Sequence, residues 1–265
     1  MLGCILSRSV PIFMVTLLLG VLAIASGGSC TAAEDGLIGY WPLDEGQGSI
    51  AHDNSGYGND GMIDACTWTL GYCGRALEIT GTGMVWGIPS TFDDPIQEGL
   101  TMAAWVKWYG TSGTGHDSIV FDARDGVHGF VLCIREVSGL LLFGLWSPSG
   151  LRYLDSQMAV PINQWTHVAA VYYAATHTIT LYLNGQEDRS GPGTDRYYSS
   201  HHEAAIGNNH WAPGDGQWAP LNGIVDEVRI YDRVLGPQEI ALLLDCGTPV
   251  PVTRSSWGSI KALYR

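Results

Sequence analysis

Two stretches of this chain gather side chains that could do chemistry at close spacing. The first, Asp53-Asn54-Ser55-Gly56-Tyr57-Gly58-Asn59-Asp60-Gly61, mixes carboxylates, amides and glycines. A hard cation such as Ca²⁺ takes six to eight oxygen ligands at ~2.4 Å, some of them backbone carbonyls that glycines leave accessible. The stretch is not an EF-hand, because Tyr57 stands at the fifth position and no glutamate at the twelfth. A cation here therefore needs a ligand from elsewhere, and Asp226 is the candidate. In a strand over 225–231 it alternates onto the face of Val228 and Ile230, which buries its carboxylate if those two pack inward. A buried charge costs several kcal/mol unless compensated. A cation, an arginine or a set of backbone N–H donors would each compensate it.

The second stretch is Asn208-Asn209-His210-Trp211-Ala212-Pro213-Gly214-Asp215-Gly216-Gln217-Trp218, a glycine-rich run that reads as a loop. Sugar CH faces stack on aromatic rings while hydroxyls meet carboxylates and amides. Trp211, Asp215 and Trp218 are therefore candidate carbohydrate contacts, with Trp146 in Leu145-Trp146-Ser147-Pro148 a further one. Tyr197, Tyr198, His201 and His202 form another aromatic cluster. For each tryptophan the alternative role is packing at a strand end. Catalysis finds no such support. Glycoside hydrolysis needs two carboxylates facing one cleft about 5–9 Å apart, and adjacent Asp226 and Glu227 point to opposite faces of a strand. No metalloprotease motif, nucleophile elbow or phosphate loop occurs, so the chain is expected not to be an enzyme.

The elements that must position these residues are strands. Leu100, Met102, Ala104, Val106 and Trp108 alternate with Thr101, Ala103, Trp105 and Lys107, which gives one buried face over 100–108. Similar runs cover 37–43, 76–79, 118–121, 130–134, 140–146, 165–172, 178–183 and 225–231, in a series of about a dozen strands. Asn184-Gly185 after 178–183 predicts a type I′ hairpin turn. The one helix expected lies over 237–244, with Pro237 at its first position. Strands without helices to cover them bury their apolar faces only sheet against sheet, so an all-β, two-sheet antiparallel sandwich or jelly roll follows.

Residues 1–33 read as a cleaved export signal: Arg8, an apolar run over 10–25, then small residues. The run is shorter than a membrane span needs, so no transmembrane span is expected. Cys30 offers a lipid-anchor site, but Gly27-Gly28-Ser29 before it lacks the large aliphatic residue of a good lipobox, and that reading is not favoured. The domain then spans 34–246, and 247–265 is a linker and tail. That tail reads as a disordered end or as a docking peptide anchored by Trp257, Ile260 and Leu263. Without Arg8 the count is 12 basic against 26 acidic residues, a net charge near −14 that disfavours nucleic acid as a partner. In an oxidising compartment Cys66 and Cys73 are expected to pair, while Cys133, in an apolar strand, packs as a buried thiol.

Several blocks in order resemble bacterial laminin G-like jelly-roll domains of the concanavalin A-like class. They are Tyr40-Trp41-Pro42-Leu43-Asp44-Glu45-Gly46 with the 53–61 loop, Gly74-Arg75-Ala76-Leu77-Glu78-Ile79, the tryptophan strand 101–108, Trp165-Thr166-His167-Val168-Ala169, Leu181-Tyr182-Leu183-Asn184-Gly185, and the closing run 223–233. The resemblance covers roughly 37–245. It implies a structural Ca²⁺ held by Asp53, Asn59 and Asp226, which would tie the first long loop to the last strand. It also implies a secreted or cell-envelope binding module, with carbohydrate as the leading ligand. An extracellular protein partner is the alternative, and a glycoside hydrolase a weaker one.

Overall fold

A computed structural model describes residues 35–89, 98–124, 128–147, 150–194, 203–209 and 218–246. The expected export signal, Cys30 and the 247–265 tail lie outside the described residues, as do Trp211, Asp215, Tyr197, Tyr198, His201 and His202. In chain order the strands begin with β1 (Leu37–Trp41), β2 (Ile50–Ala51), β3 (Gly61–Leu70), β4 (Arg75–Ile88) and β5 (Gly99–Trp108). Next come β6 (Asp117–Arg124), β7 (Gly129–Ile134), β8 (Leu140–Ser147), β9 (Gly150–Ala159) and β10 (Trp165–Tyr173). The last are β11 (Thr178–Leu183), β12 (Gln186–Pro192), β13 (Ala204–Ile206), β14 (Trp218–Pro220) and β15 (Gly223–Tyr231), followed by helix α1 (Pro237–Leu242). No helix among the described residues is long and apolar enough to cross a membrane.

Hydrogen bonding follows the order β12-β11-β10-β5-β15-β4-β13-β6-β7-β8-β9, with β1 on β15 and β3 on β4. The first layer is β12 to β15, the second β13 to β9. The long strand β4 belongs to both: Leu77–Ile79 pairs with β15, and Val85–Ile88 with β13. At the far side the layers meet again where the Asp188 carboxylate on β12 accepts the N–H groups of Gln157 and Met158 on the edge of β9. Two N–H groups that the edge of β9 would otherwise leave open are thereby capped. This is the jelly-roll sandwich expected from the sequence.

The core lies where the alternation of β5 places it. Leu100, Met102, Ala104, Val106 and Trp108 are buried between the layers, and Trp41, Phe121, Phe130 and Phe143 form a chain of rings with centroids 6.0, 5.9 and 6.4 Å apart across it. Each such side chain contributes roughly 1.5–3 kcal/mol by leaving water. The outer face of β5 is buried as well. Small Ala103 and Ala169 let α1 lie close, and Ile240 and Leu243 pack there with Val171, Tyr182 and Tyr231. The helix is shorter than the 237–244 expected, and the Glu239 carboxylate caps it by accepting the Gly236 N–H at 2.8 Å. Asn184 and Gly185 both take positive φ, 50° and 73°, in the turn between β11 and β12, which is the predicted hairpin.

The cysteine pairing differs from expectation. Cys73 is bonded to Cys246, and Cys66 is free. The reason is the strand: Cys66 pairs opposite Ile79, four residues back from the β3–β4 turn, and at ~3.3 Å per residue that carries it about 13 Å from the turn. Cys73 sits in the turn itself and meets the chain leaving α1. Cys133 is buried as expected.

Candidate functional site

The outer face of the second layer carries a cleft lined in part by aromatic rings. Beta-strand alternation sends Val131 and Cys133 of β7, Leu142, Gly144 and Trp146 of β8, and Leu151, Tyr153 and Asp155 of β9 to this face. Register then aligns them in rows, Asp122-Val131-Gly144-Tyr153 and Ile119-Cys133-Leu142-Asp155. Gly144 is buried under this face, where a Cβ would lie 3.2 Å from both Leu151 Cδ1 and Val131 Cγ1, so its lack of a side chain lets those two close over it. Trp218 enters from the side, because β14 runs parallel to β6 with Trp218 opposite Asp117. The result is a cleft of about 380 Å³ with Leu142 and Leu151 as its apolar surface, Tyr153 and Trp218 as aromatic walls, and His116, Asp117 and Arg135 as polar groups.

Two arginines fix the walls. Arg135 donates from Nε to Asp155 Oδ1 and from Nη1 to Asp117 Oδ2, each at 2.9 Å, and its guanidinium lies 5.0 Å from the Tyr153 ring centroid. Burial alone would lower the Arg135 pKa, but the bonds and charges of Asp155 and Asp117 outweigh it and raise it. Arg124 is buried, bonded through Nε and Nη2 to Asp122, and lies 4.9 Å from the Trp146 ring and 4.2 Å from that of Trp218. Trp146 and Trp218, both expected as ligand contacts, are therefore brought together by one guanidinium. Trp218 lines the cleft and Trp146 packs beneath it against the Val131, Cys133 and Leu142 cluster. Trp218 is also the first residue of a strand, where a loop was expected.

Asp117, Arg135, Tyr153 and Asp155 were not singled out from the sequence. The available signal was the alternation Leu151, Tyr153, Asp155 on a strand beginning at Gly150, with Arg135 following the apolar run 130–134.

The expected calcium ligands fall in two places. Asp53 Oδ1 accepts the N–H groups of Tyr40 and Ser55, both at 2.9 Å, and Oδ2 accepts Ser55 Oγ at 2.7 Å and Asn59 N–H at 2.9 Å. Asn59 donates its amide to the Ile38 carbonyl at 2.8 Å. The Asp226 carboxylate instead accepts the Cys73 N–H at 2.8 Å. No hydrogen bond joins Asp226 to Asp53 or Asn59, and among the described residues no group of three or more His, Cys, Asp and Glu is arranged to hold a metal ion. Four donors on Asp53 occupy the lone pairs a cation would use. Asp226 Oδ1 is buried without a partner, and one such oxygen is far short of six to eight. The donor set does not fit a shared Ca²⁺; capping of backbone N–H groups, the alternative compensation, is what both carboxylates do.

The face expected for Asp226 is also corrected. Val225, Val228 and Ile230 are in the core, but the register shifts between Asp226 and Arg229, with Glu227 at φ 54°. This bulge turns Asp226 outward, in a row with Trp105 and His167. There Tyr72 stacks on Trp105 with centroids 3.5 Å apart. Burial, aided by the charges of Glu227 and Asp44, pushes the Asp226 pKa to about 7, against the Cys73 N–H bond, which lowers it. Burial and the charge of Arg229 take His167 down to about 3, so its imidazole is neutral.

A raised carboxylate pKa stabilises the fold most below the unfolded value, and that contribution is lost as pH rises through the folded value of about 7. Asp226→Asn is therefore expected to gain on the native chain between pH 5 and 8. The difference in Tm, variant minus native, should rise by several degrees over that range, while His167 cancels in the difference. A difference flat with pH would show an ordinary carboxylate.

Comparison with curated protein sequences gives no match. Among solved structures, domain 4 of AbnA, a GH43 extracellular arabinanase from Geobacillus stearothermophilus in complex with arabinotriose, aligns with TM-score 0.63 at 24% identity, over 80% of this chain and 100% of that one. The binding domain of Paraclostridial Mosquitocidal Protein 1 aligns with TM-score 0.61 at 14% identity, over 79% of this chain and 52% of that one. The binding domain of botulinum neurotoxin DC, in complex with rat synaptotagmin II, aligns with TM-score 0.59 at 13% identity, over 80% and 52%. The chain thus spans the whole of the arabinanase domain and about half of each toxin domain, and these likenesses show a shared fold. A laminin G family model, described as the concanavalin A-like lectin/glucanases superfamily, matches residues 87–241. That is more than half of the chain and contains the whole of the cleft, so the chain belongs to the concanavalin A-like lectin/glucanases superfamily.

Proposed function

We propose that this chain is an exported, non-catalytic module that binds carbohydrate in the cleft between Tyr153 and Trp218. The observation that carries the reading is one cleft lined by the aromatic rings of Tyr153 and Trp218 together with the polar groups of His116, Asp117 and Arg135. Such a site stacks the CH face of a sugar and bonds its hydroxyls. The arabinanase domain, whose structure holds arabinotriose, supports carbohydrate as the ligand class. The Cys73–Cys246 disulfide supports an oxidising compartment. Asp117 and Asp155 are both engaged with Arg135, whereas hydrolysis needs one carboxyl that holds a proton to donate.

The test is a glycan array followed by calorimetry, beginning with arabino-oligosaccharides. Trp218→Ala and Tyr153→Ala are each expected to weaken binding by about tenfold, some 1.4 kcal/mol. Undiminished affinity in both variants would sink the site. The second reading, a protein partner, is favoured by the exposed Leu70 and Tyr72 beside the disulfide, 72% and 43% exposed. An empty array with loss of partner capture in Tyr72→Ala would move the function there.

A further inference from the structure

The charges of the cleft bear on which carbohydrate it admits, an inference that rests on the carbohydrate reading above. Arg135 is the one permanently cationic side chain lining the cleft among the described residues. Three of its five N–H groups are committed: Nε and Nη2 reach Asp155 at 2.9 and 3.5 Å, and Nη1 reaches Asp117 at 2.9 Å. Its face is taken by Tyr153. An incoming carboxylate or sulfate meets a cation already paired with two carboxylates and is repelled by both. One positive and two negative charges leave the Asp117–Arg135–Asp155 cluster net negative, on a chain whose formal charge is −13.

The same carboxylates favour a hydroxyl. Each offers about four lone-pair positions. Asp117 gives Oδ2 to Arg135 and Oδ1 to the Glu136 N–H at 3.1 Å, and Asp155 spends its oxygens on Arg135. The remaining lone pairs can accept from hydroxyl donors, which a neutral sugar has in number. Aromatic walls add affinity for either kind of sugar and so do not discriminate.

We propose that the cleft selects neutral sugars over uronates and sulfated sugars, with Asp117 and Asp155 as the specificity-determining residues that neutralise Arg135. The experiment titrates the full chain with oligosaccharide pairs of identical linkage that differ only in oxidation at C6, β-1,4-mannan against β-1,4-mannuronate and cello-oligomers against their C6-oxidised forms. Arabino-oligosaccharides with and without sulfation complete the panel. The native chain is expected to bind the neutral member at least tenfold more tightly, with any uronate affinity rising as salt screens the repulsion. Asp155→Asn, which removes one of the two negative charges beside Arg135, is expected to narrow the preference at least fivefold. Asp117→Asn serves the same purpose if the first variant melts early. Uronates bound as tightly as neutral sugars by the native chain would overturn the selectivity and leave the site standing. A panel in which no sugar binds would remove the site, and the selectivity with it.

Discussion

Replacing Asp122 with alanine is expected to lower the free energy of unfolding by about 3–5 kcal/mol, because it leaves a guanidinium buried without its counter-charge. The Asp122 and Arg124 side chains are each only 3% exposed, so water cannot take over from the lost carboxylate. The indole faces of Trp146 and Trp218 attract the cation but carry no net charge to balance it. Denaturant unfolding of the variant measures the loss, and a change under about 1 kcal/mol would mean that the pair is hydrated in solution. Removing both charges separates stability from function. In Asp122→Leu/Arg124→Met the buried charges are gone and most of the stability returns. The cation between the two indoles is gone too, so Trp218 loses the contact that fixes its ring at the cleft. Sugar affinity is therefore expected to stay low in the double variant although the fold recovers.

What the sequence made legible depends on the range over which each signal acts. The alternation in 100–108, the Asn184-Gly185 turn and Pro237 at the start of α1 act over a few residues, and the strand, the turn and the helix start all appear in the structure, with β5 buried on both faces where one was expected. Asp226 was misplaced by the same rule that placed β5. A single extra residue at Glu227 exchanges the two faces, and nothing in Val225-Asp226-Glu227-Val228 marks where a bulge falls. Cleft residues on β9 and directly after β7 look like ordinary polar positions of half-buried strands. They become a site only because β6, β7, β8 and β9 lie side by side in register and Trp218 arrives by a parallel pairing from far along the chain. Aromatic content drew attention to Trp218 and Trp146. It did not reveal that Arg124 joins them, since that contact spans more than ninety residues.

Long range also explains the cysteines, and here the expected effect is again large. Cys73 and Cys246 are 173 residues apart in sequence, so their bond closes most of the domain into one covalent loop. A constraint of that length on the unfolded chain is worth roughly 2–5 kcal/mol. Cys73→Ala/Cys246→Ala is therefore expected to unfold at a Tm lower by about 5–15 °C, and dithiothreitol should lower the native chain to the same value without moving the double variant. A Cys66–Cys73 bond would give another pattern: Cys66→Ala would reproduce the loss and Cys246→Ala would not. Burial pushes the Cys66 thiol up to about 12, so at neutral pH it carries little of the thiolate that exchange requires. The bond reaches beyond stability, because the Cys73 N–H is the donor that the Asp226 carboxylate accepts. Freed from Cys246, the turn holds that donor less firmly, and the Asp226 proton should be retained to a still higher pH. The steepest loss of Tm between pH 5 and 8 is accordingly expected in the reduced chain.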